Sequence, residues 1–64
     1  MKNNYKVGDL IWDDGDGSFG VLIRFIEYEG FQVYWFNPTS KFLKANPKTV
    51  EPLWNLKNLY RKAA

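Results

Sequence analysis

Apolar residues alternate with polar ones in short runs from Val7 onward, and Gly, Asp, Asn and Pro separate the runs. That spacing predicts strands rather than helices. Residues 7–12, Val-Gly-Asp-Leu-Ile-Trp, read as strand one. Asp13-Asp14-Gly15-Asp16-Gly17-Ser18 is a turn signal, because Gly supplies positive φ and Asp bonds its own backbone. Residues 19–27, Phe-Gly-Val-Leu-Ile-Arg-Phe-Ile-Glu, read as strand two. Alternation puts Val21, Ile23 and Phe25 on one face and Leu22, Arg24 and Ile26 on the other. With both faces largely apolar, this predicts a strand bent across two sides of a barrel.

After a Glu29-Gly30 turn, residues 31–36 read as strand three, with Phe31, Val33 and Trp35 facing the core and Gln32, Tyr34 and Phe36 facing away. Asn37-Pro38-Thr39-Ser40 is a turn. Residues 41–45 read as strand four, broken by Asn46-Pro47-Lys48-Thr49. From Val50 the chain has two readings. In one, a helix runs from about Pro52 to Lys62, with Leu53, Leu56, Leu59, Tyr60 and Ala63 on one side and Trp54, Lys57, Asn58 and Arg61 on the other. In the other, a short helical turn at Trp54–Lys57 leads to a closing strand at Asn58–Lys62. The second is favoured, because a barrel needs its last strand to cover an open edge.

The 64 residues allow one domain, taken as residues 7–62 after a polar arm at 1–6. A chain this short buries only about 60% of its unfolded surface. It has neither Cys nor His, so disulfides and the usual zinc ligands are missing as staples, and its 12 aromatic residues take their place. The polar start shows no secretory signal, and no apolar run is long enough to span a bilayer. The expectation is a soluble, cytoplasmic protein with no membrane association. The net charge of +2 is unevenly spread. Residues 1–40 carry three basic and six acidic side chains, whereas residues 41–64 carry six basic and one acidic. The C-terminal third therefore invites an anionic partner.

Tyr5-Lys6-Val7-Gly8-Asp9-Leu10, followed by Asp16-Gly17-Ser18-Phe19-Gly20-Val21, resembles the opening of SH3-like barrels of the Tudor/KOW type. Val33-Tyr34-Trp35-Phe36-Asn37 resembles their third strand. Asn55-Leu56-Lys57-Asn58-Leu59 resembles the short helix leading into their last strand. The likeness extends over residues 5–62 and is greatest to small SH3-like proteins of tailed bacteriophages, including cyanobacterial phages. It implies a mainly β, five-stranded SH3-like (Tudor-like) barrel with a short helical turn near the C-terminus. The alternative architecture is a β-meander with a C-terminal α-helix. If the protein is phage-encoded, its location is the host cytoplasm. The fold itself does not fix a function.

A barrel of this size has no room for an internal cleft, so its outer face is where function is expected. Without His or Cys the common general base and thiol nucleophile are missing, and no enzyme activity and no cofactor are expected. Asp14-Gly15-Asp16-Gly17-Ser18 starts like a calcium loop, but Phe19 takes its sixth position and Phe25 its twelfth, so no metal site is expected. Trp12, Phe19, Tyr34 and Phe36 are candidates for an aromatic cage around a methylated cation, with Asp14 or Asp16 as acidic partner. The favoured function is nucleic-acid binding, with RNA ahead of DNA. Tyr34 and Phe36 would stack on bases, and Arg24, Lys41, Lys44, Lys57, Arg61 and Lys62 would contact phosphates. The alternative is a phage-type adaptor docking on a host or virion protein through Trp12, Tyr34, Phe36 and Trp54. Self-association through a sheet edge is a further possibility.

Overall fold

The computed structural model describes residues 4–63. Its elements in chain order are β1 (Leu10–Asp13), β2 (Ser18–Ile26), β3 (Gly30–Phe36), α1 (Lys41–Ala45), β4 (Lys48–Glu51), α2 (Leu53–Asn58) and β5 (Arg61–Lys62). The five strands form one antiparallel sheet in the order β4-β3-β2-β1-β5. The last strand returns to pair with the first, Ile11 opposite Lys62 and Trp12 opposite Arg61. The fold is thus mainly β, but the sheet is open, with β4 and β5 at its two edges. The β4 edge is only four residues long and stands between Pro47 and Pro52. Shortness, flanking proline and an edge lysine, here Lys48, are features that discourage edge-to-edge pairing.

The core lies on the inner face of the sheet. Ile11, Leu22, Phe31, Val33 and Trp35 are buried there, and Leu56 of α2 closes over them. The alternation expected for β3 is found, because Phe31, Val33 and Trp35 all point inward. Gly20, between Ile11 and Trp35 in the sheet, leaves room for the indole: a Cβ there would come within 2.8 Å of Trp35 Cε3 and 2.6 Å of Val33 Cγ1. Residues 1–3 of the expected polar arm lie outside the described residues. Tyr5, in the same segment, packs against the core and donates from its hydroxyl to the Leu56 carbonyl at 2.9 Å.

Two local expectations change. The pairing register shifts between Leu22 and Arg24, leaving Ile23 as an extra residue. Phe25 therefore pairs with inward-facing Phe31, their rings 5.1 Å apart, and does not share a face with Val21. A bulge inverts the phase of every residue after it, which is why both faces of β2 look apolar in sequence. Second, residues 41–45 form helix α1, not a strand. Leu43 alone of its larger apolar residues packs on the core, while Phe42 is 88% exposed. Lys, Leu and Ala suit a helix, and Asn46 goes extended before Pro47 and ends it. The fourth strand begins at Lys48, in the segment expected to break it.

Of the two C-terminal readings, the favoured short helix leading into a strand is the one found, and the continuous helix from Pro52 to Lys62 does not form. Helix α2 stops at Asn58, and the chain turns into β5. Asn58 Nδ2 donates to the Trp54 carbonyl at 2.8 Å, and Tyr60 sets its ring 5.3 Å from that of Trp35. Behind this packing is a polar chain. Trp35 Nε1 donates to Thr49 Oγ1, Thr49 donates to Glu51, and Glu51 also accepts from Asn55 Nδ2 and the Tyr60 hydroxyl. Glu51 is buried, and these three donors compensate for the water it loses.

Candidate functional site

Opposite the core, the outer face of the sheet carries three adjacent cross-strand rows. The first runs Arg61, Trp12, Phe19, Phe36 across β5, β1, β2 and β3. The second runs Leu10, Val21, Tyr34, Lys48 across β1 to β4. The third is Arg24, Gln32, Val50. Directly opposed residues on one face of an antiparallel sheet are close neighbours, so the register itself assembles this surface. Phe19 and Phe36 remain 46% and 43% exposed despite their size. Exposed rings side by side on one face make it the candidate contact surface.

The rings associate in two pairs. Trp12 and Phe19 are tilted with centroids 4.6 Å apart, and Tyr34 meets Phe36 edge to face at 5.3 Å. All four expected cage residues thus share one face. They do not line one cavity: one groove is bordered by Trp12, Phe19, Arg61, Lys62 and Ala63, and the other includes Tyr34 but none of the remaining three. A cation entering the first groove would meet Arg61. The geometry is that of an aromatic tract and not of a cation cage.

The expected basic contacts separate into groups. Arg61 Nη2 lies 2.8 Å from Asp14 Oδ1, which also accepts from Trp12 Nε1 at 2.5 Å. Lys62 stands across from inward-facing Ile11, 3.5 Å from Asp9, over the Tyr5 ring, and donates to the Asn4 carbonyl. Both are held by local partners. Arg24 is exposed on the outer face; Lys41 and Lys44 are both exposed on α1, and Lys44 shares a groove with Tyr34. Trp54 and Lys57 are exposed on α2, whose other side carries Leu56 into the core, so they face away from Tyr34 and Phe36. The structure therefore gathers Arg24, Tyr34, Phe36 and Lys44, and leaves Trp54 and Lys57 on the opposite side.

Sequence reasoning missed Lys48, which stands directly across from Tyr34. It also missed Leu10, Val21 and Val50 as parts of this face. Alternation along β1 offers a signal for Leu10, which is two residues before Trp12. Nothing in the local sequence identifies Lys48, because the Pro47 context reads as a break.

The acidic turn has a structural occupation. Asp13 Oδ1 accepts from the Gly15 and Asp16 amides. Asp16 accepts from Ser18 Oγ at 2.7 Å and from the side chain and amide of Thr39, tying the β1–β2 turn to the loop after β3. The Thr39 and Ser18 hydrogen bonds stabilise its charged form and lower its pKa below the ordinary 3.8. Among the described residues, no group of three or more His, Cys, Asp or Glu side chains is placed to hold a metal ion. Compared with known families, curated proteins and solved structures, the chain matches none. Among the described residues no helix is long and apolar enough to cross a membrane.

Proposed function

We propose that the protein is a non-enzymatic binding module that takes single-stranded nucleic acid, RNA in the first place, on the outer face of its sheet. The observation that carries this reading is the neighbourhood of Tyr34. Phe36 lies beside it, Lys48 across from it, and Lys44 in the groove next to it. Rings that accept bases by stacking, beside cations that meet phosphates, are what a single strand requires. Arg24 extends the basic side of the face by one row. The carboxylates of Asp13 and Asp14 lie beyond the Trp12 end, so charge favours a strand running along the Tyr34 and Lys48 end. The SH3-like, Tudor/KOW-type likeness belongs to this proposal, and the return of β5 to β1 is the feature that agrees with it; the phage connection rests on the sequence resemblance alone.

A second reading is a protein-docking surface on the same face. It is favoured by the exposure of Leu10 and Val50 alongside Phe19 and Phe36. Such a surface for a host or virion protein would use Trp12, Tyr34 and Phe36 but not Trp54, which faces the other way. Chemical-shift mapping with a single-stranded RNA oligonucleotide tests the proposal. Shifts concentrated on β1–β4 are expected. Shifts confined to α2, or none at low salt, would contradict it.

A further inference from the structure

An open groove of about 600 Å³ lies between the end of β3 and α1. Tyr34, Asn37, Pro38, Leu43, Lys44 and Pro47 line it. Its apolar walls are Tyr34, Trp35, the two prolines and Leu43. Its polar groups are of a specific kind. Asn37 has a backbone φ of 47°, a left-handed conformation that Asn tolerates better than most residues. Its carboxamide makes no hydrogen bond to any described residue. Lys44 contributes a cation, and Lys48 stands across the sheet from Tyr34. The Asp16 carboxylate accepts from Thr39, which also lines the groove, and from Ser18.

These groups match the parts of a nucleotide. A base has two flat apolar faces and a polar edge, and its phosphate is an anion. We infer that the groove is a subsite for one unpaired nucleobase, with Tyr34 as platform, the Asn37 carboxamide reading the base edge and Lys44 taking the adjoining phosphate. A carboxamide offers a donor and an acceptor side by side, and adenine alone presents the complementary pair on both its Watson–Crick edge (N6 and N1) and its Hoogsteen edge (N6 and N7). The preferred base is therefore adenine. This inference rests on the proposed nucleic-acid reading and adds base preference to it.

The test compares the RNA octamers A8 and U8 by fluorescence anisotropy, with the wild-type protein, Asn37→Gly and Asn37→Asp. Glycine removes the carboxamide and accepts the positive φ, so the fold is kept; thermal melting verifies this. Wild type is expected to prefer A8 over U8 by about tenfold, the size of one good two-point base contact. Both variants are expected to lose that preference, to within about twofold, and Asn37→Gly to do so with an unchanged salt dependence. Salt-sensitive binding with no A8 preference, or with a preference that Asn37→Gly leaves intact, would overturn the adenine subsite while leaving the binding face standing. Absence of binding to both octamers at low salt would overturn both.

Discussion

Asp14 Oδ1 holds the Arg61 guanidinium at 2.8 Å while accepting the Trp12 indole proton at 2.5 Å, so one carboxylate fixes both a cation and a ring at the edge of the outer face. Arg61 must leave Asp14 before it can meet a phosphate. The pair is exposed, with 68% and 62% of the two side chains accessible, and contributes at most about 1 kcal/mol to stability. Asp14→Ala should therefore barely change the melting temperature. It should raise affinity for single-stranded RNA a few-fold, by freeing Arg61 and removing a negative charge. Equal or weaker RNA binding by this variant would show that Arg61 lies outside the contact.

That pairing also shows where the sequence stops being legible. Asp14 and Arg61 are 47 positions apart, and only the return of β5 to β1 brings them together. Alternation in β3 was legible because Phe31, Val33 and Trp35 each bury one side of an unbroken strand. The short helix followed by a last strand was legible from the need to cover an open edge. The bulge at Ile23 was not, because it changes pairing without changing composition. Helix α1 was not legible either. Five residues are too few for a helical period to show, and Phe42, the most strand-like of them, points into solvent. The aromatic side of the site was therefore readable in advance, whereas Lys48 was not, because its place across from Tyr34 depends on where β4 begins.

Gly30 opens β3 with φ 117° under the end of β4. A Cβ there would lie 2.1 Å from the Glu51 carbonyl oxygen and 2.7 Å from Pro52 Cα, both backbone atoms that cannot swing aside. Gly30→Ala should cost more than about 2 kcal/mol and displace the Glu51 hydrogen-bond chain. Gly17→Ala is the comparison. It shares a positive φ of 71° but meets nothing within 4 Å, so it carries only the backbone cost, about 1–2 kcal/mol. Urea denaturation ranks the two, and equal losses would show that the close approach to β4 does not matter.

Tyr60 donates to Glu51 at 3.1 Å, and burial, reinforced by the Glu51 charge, raises its pKa far above the ordinary 10. The folded state thus keeps a proton that the unfolded chain gives up above pH 10. Stability from this group is fully present below pH 10 and falls as pH rises beyond it. Tyr60→Phe should lose about 1 kcal/mol at pH 7, one hydrogen bond, and show a shallower decline between pH 9 and 11. Urea unfolding of both proteins across that interval measures this; parallel curves would mean that Tyr60 does not govern the alkaline limb.

The central claim is that the outer face, and not α2, meets a nucleic-acid backbone and its bases. Fluorescence anisotropy of a labelled single-stranded RNA, titrated at several salt concentrations, tests it most directly with Tyr34→Ala, Lys48→Glu and Lys57→Glu. Contacts from Arg24, Lys44 and Lys48 predict a log–log salt slope of about −2, reduced by about 0.7 in Lys48→Glu. Tyr34→Ala should weaken binding roughly tenfold with the slope unchanged, and Lys57→Glu should behave as wild type. Binding that Lys57→Glu abolishes and Lys48→Glu spares, or no binding at low salt, would contradict the account.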